Sequence, residues 1–299
     1  MDFGKDVVVV TGAGNGMGRQ HALLLARLGA RVVVNDIGVS LTGTSDNDSP
    51  GEAVVREIVE AGGEAVLDTH SVATADGAQA IVQTALDSFG AIHAIVNNAG
   101  FLRDRSFAKM TEDDFDKVIE VHLKASFLTS AAVWPHFKEQ GYGRIVTTTS
   151  GAGLYGNFGQ TNYSAAKLGL VGLTKTLAIE GAKNDIKANV LSPAAATRMS
   201  NDVMDEESRR LLRPELVSPV VAVLAHRECP WTGEVIAAGG GRVARAYIGE
   251  TAGYVSADLT PEGILANQKQ IFDTKSHIVP ASVGEEAEFL VDVLRAAGL

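Results

Sequence analysis

The chain has 299 residues, 45% of them apolar, one cysteine and a formal net charge of −10. The apolar share suffices for one large core, and open α/β sheets of this length are commonly single units. The acidic balance argues against nucleic acid as a partner, and no apolar run reaches the roughly eighteen residues that a membrane span needs. Lone Cys229 suits a reducing compartment and leaves no internal disulfide. The start carries no apolar secretory segment, and the final Ala-Ala-Gly-Leu is not an SKL-type peroxisomal address; a cytoplasmic location is expected.

In chain order, residues 6–11 form an apolar run that reads as a buried parallel strand. It enters Thr11-Gly-Ala-Gly-Asn-Gly-Met-Gly18, and an amphipathic stretch follows over residues 19–28. Strand, glycine turn and helix are the context of a dinucleotide fingerprint. Glycines there let backbone approach a pyrophosphate, and the new helix offers N–H groups and a positive dipole end. Gly12, Asn15, Gly16, Met17 and Gly18 are therefore candidate cofactor contacts. The spacing is TGxxxGxG and not GxGxxG, and a glycine-rich hairpin is the plainer alternative.

A second strand, residues 31–36, ends in Asp36. A carboxylate about twenty positions beyond the glycines can accept hydrogen bonds from the adenosine ribose, and it repels the extra phosphate of NADP. No arginine follows it, so the cofactor expected is NAD; an Asp capping a turn is the alternative. Residues 41–51 form a polar loop expected near the adenine end of the cleft. Further strands are expected at residues 65–68, 92–97, 144–149 and 187–191, and helices at 52–61, 75–89, 111–121, 125–140 and 162–182. That alternation predicts a Rossmann-type, doubly wound parallel α/β sheet. Pro135 should kink or shorten its helix. Residues 1–241 read as the dinucleotide-binding domain, and 242–299 as an extension packing on that domain or on a partner subunit.

Tyr163 and Lys167 stand one helical turn apart, and Ser150 lies thirteen residues before the tyrosine. A free phenol has a pKa of about 10. An ammonium on the same helix face favours phenolate, giving a base that can take a proton from an alcohol as hydride leaves its carbon. Ordinary surface helices carry the same spacing, so it gains meaning only beside a cofactor site.

Taken together, TGxxxGxG, Asn97-Asn98-Ala99-Gly100 and the set Ser150, Tyr163 and Lys167 resemble the short-chain dehydrogenase/reductase superfamily. Val34-Asn35-Asp36, the run from Phe101 to Phe107, the run from Tyr155 to Leu170 and Ala178-Ile-Glu-Gly181 resemble a narrower branch. That branch comprises the (3R)-hydroxyacyl-CoA dehydrogenase portions of peroxisomal multifunctional enzymes of type 2, also named as 17β-hydroxysteroid dehydrogenases. The resemblance implies an oxidoreductase in which Ser150 and Tyr163 bind the substrate oxygen, Tyr163 is the base, and Lys167 steadies phenolate and the nicotinamide ribose. It further implies that Asn98, Ala99 and Gly100 meet that ribose, that Ser71 and Val72 flank adenine, and that Ala195, Ala196 and Thr197 meet the carboxamide.

The chain departs from the family pattern at three points. His70 stands where an Asp usually precedes the adenine contacts; without clustered partners it is not expected to bind metal. His122 stands where much of the superfamily has an Asn that kinks a helix so that a main-chain carbonyl holds a relay water. That carbonyl is expected to serve here, without the His122 side chain acting in catalysis. The usual Pro-Gly loop appears as Pro193-Ala-Ala-Ala-Thr197.

The branch implies a (3R)-3-hydroxyacyl-CoA as substrate. The alternatives are a 17β-hydroxysteroid, an NADP-linked 3-oxoacyl-carrier-protein reductase, and a catalytically silent cofactor-sensing scaffold. Arg103, Arg105, Lys109, Lys124, Arg209 and Arg210 are candidate cations for CoA phosphates, although Arg103-Asp104-Arg105 reads more readily as salt bridges tying loops together. Residues 199–214, acidic then basic, are either a substrate lid or a solvated helix. The branch's hydratase portion is not in this chain, so a separate hydratase is an expected partner, and the resemblance implies a homodimer through the long helices.

Overall fold

Every residue of β1 (Val7–Thr11) is buried, because helices cover both faces of the strand and its side chains alternate between them. Val8 and Val10 enter one core and Val7 and Val9 the other. The computed structural model describes residues 1–38, 49–196 and 204–298. Residues 41–48 of the expected polar loop, Thr197 and residues 199–203 of the expected lid lie outside them.

From β1 the chain runs through α1 (Gly16–Arg27), β2 (Arg31–Asn35), α2 (Pro50–Glu60), β3 (Glu64–Asp68), α3 (Ala75–Phe89) and β4 (Ala94–Asn97). It continues through α4 (Glu112–Ile119), α5 (Ala125–Gln140), β5 (Gly143–Thr148), α6 (Gly151–Tyr155), α7 (Thr161–Gly181) and β6 (Ile186–Pro193). Then come α8 (Glu206–Leu211), α9 (Ser218–Ala225), β7 (Val235–Gly239) and β8 (Arg242–Ala246). Among the described residues the sheet has the order β3-β2-β1-β4-β5-β6-β7-β8, with β1 through β7 paired in parallel. This is the doubly wound Rossmann-type sheet read from the sequence. The order reverses between β1 and β4, which opens a crevice beyond the carboxyl ends of those strands.

Leu25 of α1, Ile58 of α2 and Leu224 of α9 fill the core on one face; Ile81 of α3, Phe137 of α5 and Ala178 of α7 fill the other. Full burial of one such large apolar side chain contributes about 1.5–3 kcal/mol. Side chains fix where several helices begin. Ser49 accepts from the Glu52 N–H ahead of Pro50, Thr74 accepts from Gly77, and Thr111 forms a reciprocal capping box with Asp114.

Two expectations change. The helices expected at 111–121 and 125–140 are not separate: a π-helical turn, Glu120–Lys124, joins α4 to α5 without a break. Pro135 lies inside α5, which nevertheless runs on to Gln140 and is not shortened.

The chain divides into two compact units, Met1–Arg245 and Ala246–Leu299, and β8 carries the sheet past residue 241. The second unit contains β9 (Glu250–Thr251), α10 (Pro261–Ala266), α11 (Gln268–Ile271), β10 (His277–Ile278) and α12 (Val283–Ala296), with β9 and β10 antiparallel. None of its described residues is buried. No helix among the described residues is long and apolar enough to cross a membrane.

Candidate active site

The crevice begins where two loops are stitched together. Thr11 Oγ1 accepts from the N–H groups of Asn98 and Ala99 at 3.0 and 3.1 Å and donates to the Val96 carbonyl at 3.3 Å. In return Asn98 Nδ2 donates to the carbonyls of Thr11 and Gly12 at 3.0 and 3.3 Å. A Cβ on Gly18 would come within 2.1 Å of the Gly12 carbonyl oxygen, so only glycine lets the loop fold back this tightly.

Unlike α2, α3 and α4, helix α1 has no side-chain cap: its Asn15 makes no capping hydrogen bond, and no acid stands in its first turn. Asn15, Gly16 and Met17 are partly exposed there. An uncapped, acid-free helix start aimed from a glycine loop suits a phosphate. At the end of β2, Asp36 Oδ2 accepts from the Gly14 N–H at 2.8 Å and Oδ1 from the Gly38 N–H at 2.9 Å. That ties the expected ribose-binding carboxylate to the glycine loop itself and leaves lone pairs on both oxygens. Val72 packs near Thr11, Asn97, Ala99, Val121, Ala125 and Ser126, while the Ser71 hydroxyl accepts from the Ala73 N–H at 3.2 Å. This donor set fits a nicotinamide dinucleotide.

The chemistry-bearing residues converge on the same end of the sheet. Ser150 follows β5 and caps α6, accepting from the Ala152 N–H at 3.2 Å. Tyr163 and Lys167 project from the first turns of α7. The Lys167 Nζ lies 5.4 Å from the centre of the Tyr163 ring and donates to the Thr148 carbonyl at 2.6 Å. Thr149 Oγ1 donates to the Lys167 carbonyl at 2.5 Å, which fixes the backbone beneath the amine. Burial pushes the Lys167 ammonium down to about 7.

Burial raises the Tyr163 phenol above its ordinary value, a hydrogen bond with Ser150 lowers it, and the Asp104 carboxylate raises it. This corrects the expectation from spacing alone. The lysine is in place, but within the protein by itself burial and Asp104 outweigh the lowering by Ser150, and the phenol is less acidic than a free one.

His122 sits in the π turn with its ring edge-on to Tyr163, 5.2 Å between centroids. Its Nε2 lies 2.8 Å from the Phe101 carbonyl, and Nδ1 is buried without a partner among the described residues. Burial first, then the Lys167 charge, push its pKa well below the usual histidine range, against the Phe101 hydrogen bond; the ring is neutral. Gly100 makes room for it, since a Cβ there would meet Cε1 at 2.1 Å. The His122 carbonyl, the expected holder of a relay water, accepts from Ser126 Oγ at 2.7 Å.

Other expected contacts are less engaged. Ala195 packs against the core, and the Ala196 N–H donates to Leu212 at 2.6 Å; Thr197 lies outside the described residues. The Arg103-Asp104-Arg105 run ties loops together. Arg103 pairs with Asp113 at 2.6 Å, Arg105 with Asp114 at 2.9 Å, and Asp104 accepts from Gln160 at 2.7 Å.

Asn162 was missed. It is buried, accepts from the Tyr163 N–H at 2.7 Å and donates to the Arg103 and Asp114 carbonyls at 3.1 and 2.8 Å. It thereby anchors the start of α7 to both neighbouring segments. Nothing in its spacing signals this; adjacency to Tyr163 is the only hint.

The chain is 55% identical over 239 residues to a short-chain type dehydrogenase/reductase of Mycobacterium tuberculosis, covering 80% of this chain and 84% of that one. It is 43% identical over 296 residues to mouse peroxisomal multifunctional enzyme type 2, covering 98% of this chain but only 40% of the mouse protein. The structure of the full-length type 2 enzyme from Drosophila melanogaster superposes with a TM-score of 0.83 at 37% identity, over 99% of this chain and 50% of that one. The chain therefore spans half or less of these multifunctional relatives. The short chain dehydrogenase family matches residues 6–208, and the chain belongs to that family, with strong similarity to the dehydrogenase part of the type 2 multifunctional enzymes.

Proposed function

We propose that this chain oxidises a (3R)-3-hydroxyacyl-CoA to the 3-oxoacyl-CoA with NAD as acceptor. The observation that carries the reading is Tyr163 beside buried Lys167, whose amine lies 5.4 Å from the ring centre, at the crevice that the uncapped α1 and Asp36 border. Membership of the family supports an oxidoreductase using a nicotinamide cofactor. Likeness to the multifunctional enzymes supports the acyl-CoA substrate. The carboxylate of Asp36 supports NAD over NADP, because a ribose phosphate would meet it at short range.

Ser150 donates to the substrate oxygen and orients the carbinol. Tyr163 takes the hydroxyl proton on its phenolate oxygen as the C–H bond breaks. Lys167 stabilises the phenolate by its charge and reaches the nicotinamide ribose. When bound, NAD supplies the hydride acceptor, with Gly12, Asn15, Gly16, Met17 and Gly18 at its pyrophosphate. Asp36 would hold the adenosine ribose, Ser71 and Val72 adenine, Asn98, Ala99 and Gly100 the nicotinamide ribose, and Ala195, Ala196 and Thr197 the carboxamide. The His122 carbonyl keeps a lone pair for a relay water.

Exposed Phe127 on α5 with Leu168 and Ile179 on α7 support a homodimer through those helices. Buried, unpaired Cys229 supports a reducing compartment, the cytoplasm, and a separate hydratase would supply the substrate.

The test is NAD reduction with matched (3R)- and (3S)-3-hydroxyacyl-CoAs of several lengths, beside a 17β-hydroxysteroid and an NADPH-driven reduction of 3-oxoacyl carrier protein. Turnover confined to the (3R) thioesters is the expected result. Faster turnover of the steroid or the carrier-protein substrate would replace the reading. Equal turnover by Tyr163→Phe, or none by the wild type, would remove it.

A further inference from the structure

Asn15-Gly16 is the only place in the chain where glycine follows asparagine; every other asparagine precedes a residue with a side chain. That pair carries a chemistry of its own. The main-chain nitrogen of the following residue can attack the asparagine Cγ, and glycine, lacking Cβ, obstructs the approach least. The new N–Cγ bond closes a cyclic imide, and the side-chain nitrogen leaves as ammonia. Water then opens the ring to aspartate or isoaspartate. Water enters and ammonia leaves without any change of oxidation state, so no further reactant is needed.

The structure leaves both reacting groups unengaged. Asn15 is the N-cap of α1, yet its side chain makes no capping hydrogen bond, whereas Ser49, Thr74 and Thr111 are each held by the helix they start. Gly16 opens α1, a position whose N–H has no partner within its helix, and none is found for it among the described residues. Its φ of +54° is left-handed backbone, which glycine adopts freely. Both residues are partly exposed, so water reaches them. Asn35, Asn97, Asn162 and Asn189 are buried instead, and Asn98 is tied to the Thr11 and Gly12 carbonyls.

We propose that Asn15 is a site of spontaneous deamidation that abolishes dinucleotide binding in chains standing without cofactor. The consequence rests on the cofactor reading above, in which the start of α1 faces a pyrophosphate. No acid stands in the first turn of α1. Conversion of the neutral amide sets a carboxylate against the phosphates at short range. The helix itself loses nothing, because aspartate caps as well as asparagine and complements the positive end of the dipole. Affinity is lost while the fold survives. Bound dinucleotide covers the loop and slows the reaction.

Freshly purified protein is held in warm, mildly alkaline buffer with and without saturating NAD. Peptide mass spectrometry follows the exchange of NH for O at each asparagine, and calorimetry without substrate follows NAD binding. Asn15 should convert well ahead of the other asparagines, NAD should slow it, and the binding-competent fraction should fall in step with conversion. Asn15→Asp should bind NAD about tenfold or more weakly, as one added like charge near the phosphates requires, and should melt no lower than the wild type. Asn15→Ser, which can form no imide, should keep through the same incubation the affinity it starts with. Conversion of Asn15 no faster than elsewhere, or an Asn15→Asp that binds NAD as well as the wild type, would overturn the assignment while leaving the cofactor reading intact. Failure of fresh wild type, with Asn15 unmodified by mass, to bind NAD would overturn both.

Discussion

Lys167 Nζ donates to the Thr148 carbonyl, 2.6 Å away, while it stands 5.4 Å from the centre of the Tyr163 ring. Lysine and tyrosine are neighbours, yet burial moves each toward its neutral form. On the function proposed above, the pair becomes a base when more positive charge arrives, and an oxidised nicotinamide would carry that charge.

The Tyr163 phenol should therefore ionise above pH 10 in the free protein and at lower pH once NAD is bound. Its folded value lies above the ordinary one. Tyrosinate absorbance, taken as wild type minus Tyr163→Phe, reads this directly. An unchanged midpoint on adding NAD would count against the charge argument. Activity of Tyr163→Phe should drop by about 10²–10⁴-fold, the range for a lost general acid–base group, with little change in melting.

Lys167→Met should separate stability from function. The buried amine has a folded pKa of about 7 against an ordinary 10.5. Between those values the unfolded chain holds a proton that the folded one lacks, so stability rises with pH across that window and is most penalised below pH 7. The penalty is on the order of 5 kcal/mol, from which about 1 is subtracted for the hydrogen bond that methionine cannot make. The variant should melt higher than wild type at pH 6, lose that advantage toward pH 10, and be inactive throughout. A variant that melts lower at pH 6 would show the amine to be a net structural asset.

Gly18→Ala would drive a methyl into the Gly12 carbonyl, 2.1 Å away, with backbone rather than a flexible side chain as the obstacle. Destabilisation of about 1–3 kcal/mol is expected from the overpacking, together with a clear loss of NAD affinity. The control is Gly284→Ala in α12, where a Cβ meets only Ser282 Oγ at 3.6 Å; it should be neutral or gain up to about 1 kcal/mol of helix propensity. Chemical denaturation and calorimetric binding check both.

Asp36→Ala should weaken NAD binding and remove the repulsion toward NADP, so the ratio of the two dissociation constants moves toward unity. Because Asp36 also holds the Gly14 and Gly38 N–H groups, both affinities fall, and the ratio is the quantity to follow. A ratio equal to that of the wild type would show that the carboxylate only shapes the loop.

Much of this molecule can be read from its residues because local pattern and tertiary role agree. Val7 to Val10 are apolar at every position, as a strand covered on both faces must be. Tyr163 and Lys167 meet because four residues on a helix return to the same side. What escapes is what depends on long-range packing. The upward shift of Tyr163 comes from burial and from Asp104, fifty-nine positions earlier in the chain. Asn162 matters through carbonyls of Arg103 and Asp114. Pro135 leaves its helix uninterrupted, and nothing in Glu120-Val-His-Leu-Lys124 announces a wider turn.

That wider turn makes α4 and α5 a single rod whose halves are out of phase by one surplus residue. Beyond it, Ser126 and Thr129 are aimed so that their hydroxyls reach the His122 carbonyl and Asn97 Oδ1 at 2.7 and 2.8 Å. The surplus residue is taken up inside the turn, so the helix winds on with Ser126 and Thr129 facing those two acceptors. Winding the same residues as a regular α-helix would instead screw the downstream half round by about 100° and carry both hydroxyls off their partners.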